Sequence, residues 1–168
     1  MIIEKSTPHD LSAHMELYEQ AIAYQHALGK VNWKGFDARA VLEEIKNGQH
    51  YKIVLDNQIA CVFLLTTSDP IIWQEKDKDP AIYIHRIATN PLFRGQNFVI
   101  KIIAFVKDLA RERRKFFIRM DTTAGNERLN QYYENCGFTI VDVVRIKEGI
   151  DMPAHYQNNS FTLFEMLL

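Results

Sequence analysis

The chain has 168 residues, 47% of them apolar, and a formal net charge of -1. That size suits one domain with a sizeable core, and that charge gives no global bias toward nucleic acid or an anionic membrane. Two cysteines, Cys61 and Cys136, make no disulfide framework, no Cys/His spacing resembles a zinc site, and no apolar run reaches signal-peptide or membrane-spanning length. The expectation is a reduced, soluble, cytoplasmic protein.

"MIIEKS" reads as a short first strand. Thr7-Pro8-His9-Asp10 then starts a helix: Thr7 caps, Pro8 suits the first turn and Asp10 complements the dipole. Leu11, Met15, Tyr18 and Ile22 carry that helix to about Ala27, and Gly29 ends it. After the loop "KVNWKGFD", Asp37 caps a second helix, Ala38 to Lys46, closed by Asn47-Gly48. The period then changes. "YKIVLD" and "QIACVFLLTT" read as a hairpin turning at Asp56-Asn57. "SDPIIWQEKDKDP" is a polar loop with room for one helical turn, and "AIYIHRIAT" is a strand stopped by Asn90-Pro91.

From Phe98 the spacing is helical, with Phe98, Ile102, Phe105, Val106 and Leu109 on one wide apolar face. The basic run "RERRK" at 111–115 closes this helix and reads as its solvated end. "KFFIRMD" is a strand, and "NERLNQYYENCG" is a short helix closed by Gly137. "FTIVDVVRI" and "SFTLFEMLL" are two last strands, joined by a polar loop holding Gly149, Pro153 and His155. The order β-α-α-β-β-β-α-β-α-β-β predicts an α+β, mixed-sheet fold in a single domain, 1–168. The strand–helix–strand unit from Ile82 to Asp121 is expected to be a right-handed parallel crossover. Cofactors in such sheets bind at the carboxyl ends of strands, beside the next helix's first turn.

"NPLFRGQNFVIKII", 90–103, occupies that place. A helix start offers free N–H groups and about half a positive charge, and Arg94 adds a forked cation suited to phosphate. On these residues alone, a phosphate-binding loop and an ordinary turn both remain open.

Arg94-Gly95-Gln96-Asn97-Phe98-Val99, after "IHRIATNP", lies where the GCN5-related N-acetyltransferase (GNAT) family has Arg or Gln, two residues, Gly, one residue, and Gly or Ala. Further on, "NERLNQYYENCGF", 126–138, matches without a gap the family's Asn followed by a pattern like "LYEKLGF". The chain resembles this family, specifically over about 81–138. The resemblance implies a mostly antiparallel twisted sheet with helices on both faces. It also implies acetyl transfer from acetyl-CoA to a primary amine of a small molecule or peptide, by direct attack and without a metal.

Under that resemblance, Ile87, Ala88 and Thr89 pair with the pantetheine arm as an added strand would. Arg94, Gly95, Gln96, Asn97, Phe98 and Val99 hold the pyrophosphate. Asn126 lies near the cofactor, and Tyr133 gives a proton to the departing thiolate, a reasonable step for a phenol of pKa near ten. Tyr133 could instead be a core aromatic. The register with Gly137-Phe138 favours the cofactor-facing role and leaves the core to Tyr132. His85, on the same strand face as Tyr83, matches a histidine that serves as base in a member of the family; a structural buried histidine is the alternative. Trp33, Trp73 and Tyr83 are candidate walls of the acceptor pocket, as are Tyr24 and His26, and all of them could equally be core.

Asn97 and Val99 depart from the family pattern, standing where small residues are usual. Asn tolerates a left-handed backbone, so a tight turn stays feasible at Asn97, whereas Val99 could crowd the pyrophosphate. This departure supports the rival reading, a catalytically weak or inactive fold member that senses CoA or a metabolite. No nucleic-acid or membrane partner is expected, and the chain is expected to be a monomer or homodimer.

Overall fold

The structure is a computed structural model that describes residues 1–29, 33–146 and 158–168. The expected polar loop with Gly149, Pro153 and His155 lies outside the described residues, as do Val31 and Asn32. Among the described residues the order is β1 (Ile2–Lys5), α1 (Leu11–Ala27), α2 (Ala38–Lys46), β2 (His50–Leu55), β3 (Gln58–Thr66), α3 (Pro70–Trp73), β4 (Ala81–Thr89), α4 (Phe98–Glu112), β5 (Phe117–Thr123), α5 (Glu127–Asn135), β6 (Thr139–Arg145) and β7 (Ser160–Leu167). The strand order is β1-β2-β3-β4-β5-β7-β6, a mixed α+β fold with mostly antiparallel pairing. None of the described helices is long and apolar enough to cross a membrane.

The chain divides into two compact units, Met1–Leu65 with Arg86–Phe98, and Thr66–His85 with Val99–Leu168. Strand β4 contributes its second half to the first unit and its first half to the second.

In the first unit β1, β2 and β3 pair antiparallel. Leu55 faces Gln58 across a two-residue turn in which Asp56 and Asn57 take φ of 51° and 59°. Those values are the left-handed pair of a type I′ turn, which Asp and Asn tolerate best after glycine. Asp10 Oδ2 accepts from the backbone N–H of Thr7 at 2.7 Å, and Pro8–Asp10 form a 3₁₀ turn ahead of α1. The Asp37 carboxylate accepts from the N–H groups of Arg39 and Ala40 at 2.7 and 3.1 Å, so α2 begins one residue after its cap. Leu17, Tyr18, Val41, Ile45, Val62 and Ala88 form the core here, with Trp33 and Phe36 packed against it.

In the second unit the first half of β4 pairs parallel with β5, Ala81 with Phe117 and Tyr83 with Arg119. Strand β7 inserts beside β5, and β6 lies outside β7, both antiparallel. Ile102, Val106 and Ala110 of α4 are fully buried while Ala104, Asp108 and Arg111 are exposed, as the helical period requires. The loop before β4 holds one more helix than a plain connection, α3. Asp69 caps it, with Oδ1 accepting from Ile72 N–H, and Pro70 occupies its first turn. The core of this unit is Ile72, Trp73, Ala81, Tyr83, Ile146, Phe161 and Leu163.

Candidate functional site

In the first unit, β4 leaves its pleat at Arg86, whose φ is 51°. A left-handed residue inside a strand interrupts the alternation of faces, so the face that His85 shares with Tyr83 does not continue past Arg86. The kink is braced by its own side chain. Arg86 Nη1 donates to Glu44 Oε2 at 2.7 Å, and its guanidinium lies 4.8 Å from the centre of the Phe36 ring. Glu44 in turn pairs with Nε2 of the buried His50 at 2.9 Å. Although burial opposes it, this pairing holds the Glu44 carboxyl below its ordinary range.

Past the kink come Ile87, Ala88 and Thr89. Ala88 is buried, the other two half-buried, and Thr89 Oγ1 sits 3.7 Å from Cys61 Sγ. Burial pushes the Cys61 thiol up to about 12, so it is a packed hydrophobe and no nucleophile. Asn90 then fixes the exit. Its Nδ2 donates to Ile59 O at 3.2 Å, and its Oδ1 accepts from Leu92 N–H at 3.0 Å.

The turn that follows is exposed from Arg94 through Asn97. Gly95 takes φ of 82° and Asn97 takes 52°, so the asparagine adopts the left-handed conformation a glycine would supply. A side chain at Gly95 would meet nothing within 4 Å. The Arg94 guanidinium rests 4.1 Å over the Tyr24 ring. Phe98, the first residue of α4, is buried and anchors the helix start, while Val99 is half-buried. A cation beside an exposed turn that opens a helix offers the donor types a diphosphate requires. Trp33 sits against Tyr18 and Phe36 with ring centres 5.9 and 5.3 Å away, and Tyr24 and His26 are exposed.

In the second unit, Tyr83 and Trp73 are both buried and brace Arg119. Tyr83 Oη accepts from Arg119 Nη1 at 3.2 Å, and the guanidinium lies 4.6 Å from the Trp73 ring. Two residues along β4, His85 lies roughly parallel to the Tyr83 ring, 6.4 Å away. Its Nε2 is 3.7 Å from Asp69 Oδ2, and its Nδ1 is 3.7 Å from Asp121 Oδ1. All three side chains are nearly buried. Burial, then the charge of Asp69, pushes the Asp121 carboxyl up to about 8. Asp69 is pushed up to about 6 by burial and by Asp77, against the hydrogen bond from Ile72.

Asn126 caps α5, its Oδ1 accepting from Leu129 N–H at 3.4 Å. Tyr133 is 8% exposed and meets Phe164 and Phe138 edge to face, with ring centres 5.3 and 6.4 Å away. Tyr132, expected in the core, is exposed instead. The buried stripe of α5 runs through Asn130 and Tyr133, three residues apart, and position 132 falls off it.

Residues 16–138 match the model of the acetyltransferase (GNAT) family. The chain belongs to the GNAT family. The uncharacterized N-acetyltransferase YesJ of Bacillus subtilis strain 168 is 25% identical over 109 residues; the match covers 62% of this chain and 61% of the length of YesJ. A GNAT-family acetyltransferase from Listeria monocytogenes 4b F2365 superposes with a TM-score of 0.80 at 24% identity, over 99% of this chain and 94% of that one. The yncA structure from Salmonella typhimurium, which holds acetyl-CoA as its cofactor, gives 0.69 at 15% identity over 100% and 94% of the two chains. At these identities the two structures establish the fold.

Asp69 and Asp121 are the residues that sequence reasoning missed in this GNAT chain. Each carried a signal. Asp121 is a carboxylate inside a strand, where Asp is depleted, and Asp69 precedes a proline-led helical turn.

Proposed function

We propose that this chain, as one acetyltransferase domain spanning 1–168, moves the acetyl group of acetyl-CoA to a primary amine of a small molecule or peptide. The observation that carries the reading is the turn Arg94–Asn97. It is exposed, it opens a helix of 15 residues, and it has a left-handed asparagine where the family usually places a small residue. Arg94 and the N–H groups from Gly95 to Val99 would hold the pyrophosphate, with Arg94 leaving the Tyr24 face to do so. Ile87, Ala88 and Thr89 would pair with the pantetheine arm, and N–H groups at the Arg86 kink would polarise the thioester carbonyl. Acetyl-CoA supplies the activated acyl group.

His85 would take the proton from the attacking amine, and the Tyr133 hydroxyl would give one to the departing sulfur. Asn126, already spent on its helix cap, would order the segment around it. Trp33 is proposed as an acceptor wall. Trp73 and Tyr83 would shape the ground behind His85. Action in the cytoplasm is part of the proposal and rests on two free thiols, Cys61 and Cys136.

Two measurements test the reading together. Calorimetry with acetyl-CoA should give saturable heat; no heat at millimolar ligand overturns it. A screen of primary amines, following thiol release, should find turnover that collapses in Tyr133→Phe. Saturable binding without turnover on any amine would instead establish the sensor reading.

A further inference from the structure

We infer that Asp69, His85 and Asp121 form a receptor for an ammonium group, and that the acceptor amine enters there in its protonated, cationic form. The identification of that cation with the acceptor rests on the acetyltransferase reading above; the ammonium site itself rests on geometry.

Asp69 Oδ2 and Asp121 Oδ1 are each fully screened from solvent, and neither has a hydrogen-bond partner among the described residues. Their separations of 3.7 Å from the two His85 nitrogens exceed a hydrogen bond. The Asp121 side chain is 8% exposed, so its oxygen cannot make good the deficit with bulk water. A buried carboxylate oxygen left without a donor is costly, and such groups are rare in folded proteins. Both orphaned oxygens face the same imidazole. The deficit is local, because Arg119, two residues before Asp121, engages all three of its guanidinium nitrogens.

The spacing suits one small cation. One ligand atom from each of the three side chains lies within 4.8 Å of the other two, so a point exists within about 2.8 Å of all three, close enough for N–H donors. A primary ammonium has three N–H bonds, enough to donate to both orphaned carboxyl oxygens beside His85, its carbon pointing away. Binding it would supply donors to both orphaned oxygens and place positive charge between two carboxyls.

The same groups can then ready the amine for attack. An ammonium has no lone pair. Passing one proton to the cluster leaves R–NH₂ and the cluster one proton richer. The freed lone pair forms the C–N bond, the C–S bond breaks with its electrons going to sulfur, and the second nitrogen proton leaves through solvent as the amide forms, making good the one that Tyr133 gives to the sulfur. Asp69, which burial raises only to about 6, is still ionised at neutral pH and is suited to hold the first one.

The test uses the full chain with ¹⁵N-labelled histidine, the His85 ring signals being identified by their loss in His85→Gln. Titration with n-butylammonium chloride should shift those signals saturably, and n-butanol should leave them in place. Asp121→Asn should weaken the butylammonium response about tenfold, the loss expected for a hydrogen bond to a charged group. Signals that ignore butylammonium, or follow butanol equally, overturn the inference. So does one-to-one zinc binding at these signals that butylammonium cannot displace, which would make the cluster a metal site. In turnover, Asp69→Asn and Asp121→Asn should raise the acceptor KM about tenfold and leave the acetyl-CoA KM unchanged; an unchanged acceptor KM counts against it. An ammonium-dependent shift without turnover would sink the acetyltransferase reading alone, and turnover without that shift would sink this inference alone.

Discussion

Tyr83 with Arg119, and His85 with Asp121, are two polar pairs built on the same two strands, one pair two residues further along than the other. In the first, the guanidinium is 1% exposed yet saturated. It donates to Glu165, Asp79, the Lys76 carbonyl and Tyr83 Oη, and lies between the Trp73 and Phe117 rings. In the second, two carboxyls and an imidazole stand 3.7 Å apart with oxygens unmet. Neighbouring polar pairs on the same two strands therefore serve opposite ends. A satisfied network fixes structure, whereas an unsatisfied one stores a demand that a ligand can meet.

Arg119 offers the hardest test of this contrast. Arg119→Met should cost about 3 kcal/mol in urea unfolding, because Glu165 and Asp79 lose their counter-charge; a loss below about 1 kcal/mol would break the comparison. Tyr133→Phe should do the reverse, lowering kcat about 100-fold while the unfolding midpoint stays put, since the ring keeps its contacts with Phe138 and Phe164.

Asp121→Asn should split the two quantities. The folded pKa of Asp121 is raised to about 8 by burial and Asp69, above its ordinary 3.8, so the folded chain holds that proton more tightly than the unfolded one. Wild-type stability from this group is full below about pH 4 and is lost as pH rises toward 8. The variant, flanked by the same Asp69 and His85, has no such proton. It should gain on the wild type steadily between those pH values, read as the melting-temperature difference, while it loses acceptor affinity. A variant less stable at pH 8 would mean that Asp121 already has a partner. The smallest effect belongs to Asn97. Asn97→Ala should cost about 1 kcal/mol for a left-handed residue without a polar side chain, and Asn97→Gly close to nothing.

What could be read from the chain followed from how local each signal was. Helix α2 runs from Ala38 to Lys46 as expected, because a cap, a period and a terminal Asn-Gly all sit within twelve residues. The Asp56-Asn57 turn and the left-handed Asn97 were legible for the same reason: the residue type itself carries the backbone preference. Arg86 has no such preference, so its residue type could not place a left-handed kink there, nor the break in the faces of β4. Asp69 and Asp121 meet only through the fold, one read as a polar loop and the other as the end of a strand. The exposure of Tyr132, expected in the core, turned on the rotation of α5, which a likeness of motif fixed less well than the buried stripe does.

The Arg119 cluster also sets an order in time. Glu165 lies 46 residues beyond Arg119, whereas Asp79 and Tyr83 precede it. At about 5–20 residues per second, the ribosome needs about 2–9 s to reach the glutamate after it has made the arginine. Through that interval the guanidinium has Asp79 and Tyr83 to pair with and no β7 to lie beside, and the strand that completes its burial is the one carrying its second carboxylate. A nascent chain stalled in this window would present a half-compensated cation on an open strand edge, the kind of surface that chaperones recognise.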